Sequence, residues 1–349
     1  MAGMRLEIVN VMLSRNDGGL ERMALHQAKG LAVCGHQVTT FLHPESAVRP
    51  LAERLGLVVE SFPYKSRWNP FVPRLLWRRV KRSGADLVLT HGNRATELAS
   101  TVTARHRPVI GVAHSTWFKS RPGLAGIVSL TQENLRHWQQ QGVTSAFAPN
   151  FLADGLPAIP PRPLRQPPVI GALGRFVAKK GFNDLLQAAA ILQEAGRDFR
   201  LVIGGSGVEG PALQKLTMAL GLGKRVHFAG WVPDSAAFLS ELDIFVLPSR
   251  EEPFGIVVLE AWRAGLPAIA AATEGPRSFI RPGVDGLLVP VAEPAALAEA
   301  LATLMDDPVQ ALRLAGQGQA SFSANYAASG GAALSAAIMD ILGQAGARP

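Results

Sequence analysis

The stretch IFVLPSREEPFGIVVLEAWRAGLPAIAAA (244–272) decides the fold. IFVLPS is a short, continuous apolar run, the pattern of a strand buried on both faces. FGIVVLEAWRAG carries apolar residues at helical spacing and is closed by Gly265. PAIAAA is a second buried run. Strand, helix, strand in so short a span is a βαβ unit, which requires a parallel sheet covered by helices.

The same alternation continues on both sides. In the second half PVIGALGRF, FRLVIGG, RVHFAGW and GLLVPV read as further strands. FNDLLQAAAILQEAG, PALQKLTMALGL, DSAAFLSEL and PAALAEALATLMDD read as helices. In the first half the strands are LEIVNVML (6–13), HQVTTFLH (36–43), VVESFP, ADLVLTH (85–91), PVIGVAHS (108–115) and GIVSLT (126–131). They alternate with a helix from about Leu20 to Val33, LAERLGL, PFVPRLLWRRVKRSG and ENLRHWQQQG. Residues 152–168, rich in proline, can hold neither a helix nor a central strand and read as a semi-rigid linker. The expected architecture is α/β, with two doubly wound, Rossmann-like parallel-sheet domains facing a cleft. The first spans 1–160 and the second 161–327. Residues 328–349 form a closing helix and tail that pack back toward the first domain. Ligands in such sheets bind beyond the carboxyl ends of the strands.

Composition narrows the class. The 349 residues are 48% hydrophobic and 7% aromatic, as in an ordinary globular α/β protein. No apolar run reaches the roughly 18 residues of a membrane span, and the first residues lack the pattern of a secretory signal. The single cysteine, Cys34, excludes an intrachain disulfide framework and a multi-cysteine metal site. It reads as a small buried hydrophobe, and a reducing cytoplasm is the expected location. Charge is uneven. Residues 1–160 hold 19 Lys and Arg against 10 Asp and Glu, a net +9, whereas the remainder of the chain is at −1. The asymmetry points to an anionic partner for the first half, whether membrane surface, nucleic acid or acidic substrate, with a generally basic, solvated surface as the alternative. The helix NPFVPRLLWRRVKRSG (69–84) concentrates this charge in Arg74, Arg78, Arg79, Lys81 and Arg82, with Leu75, Leu76 and Val80 as its apolar stripe. Trp77, Arg78, Arg79, Lys81 and Arg82 are the expected contacts with an anionic membrane surface, extended by Lys65, Arg67 and Trp68. No nucleic-acid motif accompanies the basic half.

Within the opening stretch, Glu252 sits in a loop before a helix and Glu260 inside its first turns. The helix start near Gly255 offers free N–H groups and a positive dipole end. Two carboxylates so placed can accept hydrogen bonds from vicinal hydroxyls. Glu260 also interrupts the apolar run IVVLEAW, where a carboxylate needs donors. Arg175 and Lys180 in GRFVAKKG (174–181) suit a diphosphate, the guanidinium as a fork and the ammonium as a point charge, whereas Lys179 reads as solvated. GGSGVEG (204–210) fits G-x-G-x-x-G, but the region about 20 residues on, GKRVHFAG, lacks the acid that a nicotinamide cofactor would want. Gly18 and Gly19 precede the first helix, where backbone can approach a phosphate or sugar. His91 and His114 end two strands of the first half.

The segment 249–267 resembles the E-x7-E signature of retaining glycosyltransferases of family 4 with the GT-B fold, matching at Glu252, Pro253, Phe254, Gly255, Glu260, Ala261, Gly265 and Pro267. The resemblance implies that Glu252 contacts a donor sugar and Glu260 the ribose hydroxyls. The backbone of Gly255, Ile256 and Val257 would then lie against sugar and diphosphate. Arg175 and Lys180 would bind the diphosphate of a UDP-, GDP- or ADP-linked sugar. Gly205 would lie beside the nucleotide, and the main chain near Val232 would read its base. Gly18 and Gly19 match the family's GG-x-E opening. His91 and His114 would lie on the acceptor side, His114 also touching the transferred sugar. The catalytic group so read is Arg175, Lys180, His114 and Glu252. The resemblance further implies transfer with retention to a glycolipid or lipopolysaccharide-core hydroxyl, on the inner face of the cytoplasmic membrane, without cofactor or metal. Two departures stand out: PNF (149–151) has Phe151 where the family has Gly, and EGPRSFI (274–280) has no Glu near Ser278. An inverting transferase, a nucleotide-sugar epimerase and a non-catalytic sugar-nucleotide-binding or membrane-adaptor module are the alternatives.

Overall fold

The structure is a computed structural model that describes residues 4–64, 69–115 and 117–346. It divides into two compact units, Met1–Gly155 together with Asn325–Pro349, and Leu156–Ala324.

In the first unit a seven-stranded parallel sheet has the order β3-β2-β1-β4-β5-β6-β7. The strands are β1 (Glu7–Met12), β2 (Gln37–Leu42), β3 (Val58–Ser61), β4 (Leu87–His91), β5 (Val109–Ala113), β6 (Gly126–Ser129) and β7 (Ser145–Phe147). The intervening helices are α1 (Gly19–Val33), α2 (Arg49–Arg54), α3 (Val72–Ser83), α4 (Gly92–Thr101) and α5 (Gln132–Gln140). Every residue of β4, β5 and β6 is buried, which is why these strands read as unbroken apolar runs. In α3, Val72, Leu76 and Val80 recur every four residues and face the core, and Gly84 ends the helix in the left-handed conformation.

The second unit carries a six-stranded parallel sheet of order β10-β9-β8-β11-β12-β13. Its strands are β8 (Val169–Leu173), β9 (Arg200–Gly204), β10 (Val226–Gly230), β11 (Ile244–Leu247), β12 (Ala268–Ala271) and β13 (Leu287–Val289). Around them lie α6 (Phe182–Glu194), α7 (Gly210–Ala219), α8 (Ser235–Ser240), α9 (Ile256–Arg263), α10 (Glu274–Phe279), α11 (Pro294–Asp306) and α12 (Pro308–Asn325). The last helix, α13 (Gly330–Gln344), belongs to the first unit and packs on α1, β6 and β7. Among the described residues no single helix is long and apolar enough to cross a membrane.

Four elements escape the sequence pattern: α4, β7, α10 and α12. β7 is three residues long, too short for alternation to show. α12 contains Gly316, Gly318, Ser321 and Ser323, poorer helix formers than alanine. Packing holds it instead. A Cβ at Gly318 would lie 2.5 Å from the Trp262 ring, so glycine lets α12 approach the α9 tryptophan. In the proline-rich stretch, Leu156 onward groups with the second unit, where Arg165 Nε–H is shared between both oxygens of the buried Asp243 at 3.0 Å and Ile159 N–H donates to Arg263 O. One other expectation is corrected. Cys34 is exposed at the end of α1 and is not part of the core.

Phe151 explains its own departure from the family pattern. Its ring is fully buried between α1 and α13 at three glycines. A Cβ at Gly30 would lie 2.4 Å from the ring, one at Gly330 2.5 Å from it, and one at Gly331 2.5 Å from the Gly30 carbonyl oxygen. Bulk added at residue 151 is accommodated by bulk missing from both helices. Gly331→Ala is expected to destabilise the first unit by about 2 kcal/mol, because backbone cannot yield as a side chain can. Gly343→Ala, on the same helix with nothing within 4 Å, is expected to be neutral or stabilising. Denaturant midpoints of the two variants check this.

Candidate active site

In the second unit, β8 has β9 and β10 on one side and β11, β12 and β13 on the other. The strand order reverses between β8 and β11, the place where α/β sheets bind ligands. The loops after these two strands carry Arg175, Lys180 and Glu252. Lys180 Nζ lies 2.5 Å from Glu252 Oε2, which also accepts from Ser249 Oγ at 3.2 Å. Lys180 keeps 20% of its side chain accessible and Glu252 10%, so each can still meet a ligand. Read from sequence, these two groups have separate duties; the fold places them in one ion pair.

The loops are sewn together by backbone. Arg250 and Glu251 N–H donate to Lys179 O. Gly181, at φ 65°, approaches so closely that a Cβ would lie 2.0 Å from Pro248 O. Arg250 closes the seam with a two-pronged pair to Asp184 at 2.7 and 2.8 Å. This bond raises the Arg250 pKa further. Behind Glu252, α10 serves as a brace. Gly275 N–H donates to Glu252 O, and Phe279 stacks on Phe254 at 4.9 Å. Ser278 Oγ donates to Gly275 O at 2.6 Å. Gly255, with φ 92°, starts α9.

Glu260 finds the donor its apolar surroundings demand: Ser235 Oγ donates to Oε1 at 2.7 Å. Ser235 begins α8, which Asp234 caps through the N–H groups of Ala236 and Ala237. Val232 precedes this cap and packs over Gly204. Gly205 N–H donates to Gly230 O, and a Cβ there would lie 1.8 Å from Gly174 O, so only glycine fits. Phe176 N–H donates to Ser206 O, joining the Arg175 loop to the glycine-rich turn. Arg175 is exposed, and its guanidinium makes no hydrogen bond or ion pair among the described residues. Lys179 is also exposed. Arg175, Lys180, Gly205, Val232, Glu252, Gly255, Ile256, Val257 and Glu260 thus gather beyond the carboxyl edge of one sheet. Ser235, Ser249, Asp184, Arg250 and α10 were missed, since isolated serines and a six-residue helix carry no pattern.

The first unit has its own reversal, between β1 and β4. Gly18, extended at φ −152°, precedes α1, and Gly19 is its first residue. His91 ends β4, and His114 follows β5. His91 Nδ1 lies 2.8 Å from His114 Nε2, and His91 Nε2 lies 2.6 Å from Asn10 Oδ1. Asn10, on β1, carried no signal in the sequence. Burial drives the pKa of both imidazoles down: His91 well below its ordinary value, with help from His114, and His114 to about 3. Both are neutral at pH 7.

On α3 the expected membrane contacts differ in exposure. Trp77 is partly buried: it stacks on the exposed His106 at 4.4 Å and packs against the core along one side. Arg78, Lys81 and Arg82 are exposed, Arg79 reaches Glu60 at 3.6 Å, and Leu75 lies outside the buried stripe. The exposed aromatic here is Phe71. Lys65, Arg67 and Trp68 lie outside the described residues. Among those described, no group of three or more His, Cys, Asp or Glu could hold a metal ion.

Comparison with known proteins agrees with this geometry. Residues 160–320 match the family model "Glycosyl transferases group 1", and residues 17–144 match "Glycosyltransferase Family 4". The chain is 32% identical over 317 residues to the lipopolysaccharide core biosynthesis glycosyltransferase LpsE of Rhizobium meliloti (strain 1021), covering 86% of this chain and 90% of LpsE. It is 37% identical over 158 residues to LpsD of the same organism, 45% of either chain. The crystal structure of Anabaena HepE in complex with UDP and glucose superposes with a TM-score of 0.82 at 20% identity, over 96% of this chain and all of that one. The chain belongs to the group 1, family 4 glycosyltransferases, has the GT-B fold and is a glycosyltransferase.

The neutral histidine pair has a consequence for stability. Its folded pKa values lie below the unfolded value near 6.5, so the unfolded chain binds more protons as pH falls. The contribution is complete above about pH 6.5 and is lost from there toward pH 3. His114 forfeits about 1.4 kcal/mol per pH unit in that window, and His91 contributes in the same direction. His114→Gln is expected to lose up to about 3 kcal/mol less than the native chain between pH 7 and 4.5, read by denaturant unfolding.

Proposed function

We propose that the chain moves a sugar from a nucleoside-diphosphate donor to a hydroxyl of a lipopolysaccharide-core glycolipid, with retention at the anomeric carbon. The observation that carries this reading is the Lys180–Glu252 pair at the strand-order reversal of the second unit, beside the start of α9. A diphosphate bound there would draw on Lys180 and on the exposed Arg175. Glu252 would face the sugar, and Glu260, held by Ser235, the ribose. HepE binds UDP and glucose, which supports a UDP-linked donor, and the name of LpsE supports the acceptor class.

The chemistry follows from the charges. The bond from the anomeric carbon to the phosphate oxygen breaks, and the acceptor oxygen bonds to that carbon from the same face. The acceptor proton passes to the departing phosphate oxygen. Negative charge grows on the diphosphate, where Arg175 and Lys180 stabilise it. An inverting transferase or an epimerase would give a different product, so the anomeric configuration of the product discriminates among them.

Thermal shift against UDP-, GDP-, ADP- and dTDP-sugars is expected to show stabilisation by at least one donor, since ligand bound to the native state adds stability by mass action. No shift with any of them would overturn the reading. Lys180→Ala is expected to lower kcat by about 10²-fold or more while donor affinity changes far less. Equal losses would make Lys180 a ground-state binder only.

The reading also places the protein in the cytoplasm, on the inner face of the cytoplasmic membrane, with Arg78, Lys81 and Arg82 of α3 toward anionic lipid. Reversing these three charges is expected to abolish co-sedimentation with vesicles of anionic phospholipid and leave turnover of a soluble acceptor intact. Unchanged co-sedimentation would remove α3 from the contact.

A further inference from the structure

The contacts around His114 determine which of its nitrogens carries the proton. Asn10 is fully buried on β1, and its amide nitrogen donates to Ala24 O at 3.2 Å. That bond sets the orientation of the amide: the reverse one would press two carbonyl oxygens together. Oδ1 therefore faces His91 Nε2 at 2.6 Å. A carbonyl oxygen only accepts, so the His91 proton sits on Nε2. A neutral imidazole with its proton on Nε2 has a bare Nδ1, which can only accept. The partner of that Nδ1, at 2.8 Å, is His114 Nε2. His114 must donate from Nε2, and its own Nδ1 is left as a lone pair with no hydrogen bond among the described residues.

We propose that Asn10 and His91 are positioning residues that lock His114 in the Nε2–H form, so that His114 Nδ1 accepts a hydrogen bond from a hydroxyl of the bound carbohydrate. The chain of command runs Ala24 O, Asn10, His91, His114, and each link is a bond with one allowed direction. A histidine free to choose its tautomer could offer either a donor or an acceptor. This one offers only an acceptor, which suits a hydroxyl hydrogen and disfavours a ligand carbonyl or carboxylate at the same place, because two acceptors repel. The identity of the ligand as a carbohydrate rests on the glycosyltransferase reading; the tautomer does not.

The test has two arms. Long-range 1H–15N correlation spectra of the ligand-free protein report the tautomer of each histidine. Both His91 and His114 are expected as Nε2–H, and a His114 proton on Nδ1 would overturn the proposal. The second arm uses His91→Leu and His91→Asn. Leucine removes the acceptor, so the His114 tautomer is expected to become mixed and kcat/KM to fall about tenfold, the loss of one hydrogen bond. Affinity for the free nucleoside diphosphate, read by calorimetry, is expected to be unchanged. Asparagine can present its carbonyl oxygen where Nδ1 stood, and is expected to recover most of the lost rate and the single tautomer. If His91→Leu mixes the tautomer without lowering kcat/KM, or if asparagine restores the tautomer but not the rate, His114 Nδ1 is not a ligand contact. Should no nucleotide-sugar be turned over at all, the glycosyltransferase reading fails, while the spectra still decide the tautomer.

Discussion

A parallel sheet buried on both faces has no room for charge within its strands, and this constraint shapes both units. β4, β5, β6, β11 and β12 are buried at every residue, so polar chemistry is pushed beyond the strand ends. Where the strand order reverses, the loops leaving two neighbouring strands diverge onto opposite faces and leave a crevice. Lys180 and Glu252 meet at one such place and Asn10, His91 and His114 at the other.

The two crevices solve the problem of polar groups near a core in different ways. In the second unit the charges remain partly accessible and pair with each other, so desolvation is incomplete and a ligand can compete for Lys180. In the first unit the polar groups are uncharged and are satisfied by a directional chain of hydrogen bonds. The first arrangement suits binding of an anion whose charge changes during reaction. The second suits fixing a single acceptor atom in space.

Glycine supplies the closeness both arrangements need. Gly181 and Gly205 bring loop backbones into contact where any side chain would collide with a carbonyl. Gly30 and Gly330 leave room for the Phe151 ring between two helices, and Gly331 lets α13 approach the Gly30 carbonyl.

The sequence by itself determined the α/β class, the two-unit order and most of the residues around the crevice of the second unit, because buried strands, amphipathic helices and the Glu252–Glu260 spacing are local patterns. It could not show that Lys180 pairs with Glu252, 72 residues away, or that Asn10 sets the proton of His91, 81 residues away. Nor did it show that Trp77 stacks on His106, that Cys34 faces solvent, or that α10 braces the Glu252 loop. Those facts depend on which strands lie side by side and on how closely backbones approach. Strand order and packing distance are properties of the folded chain, and no single stretch of residues encodes them.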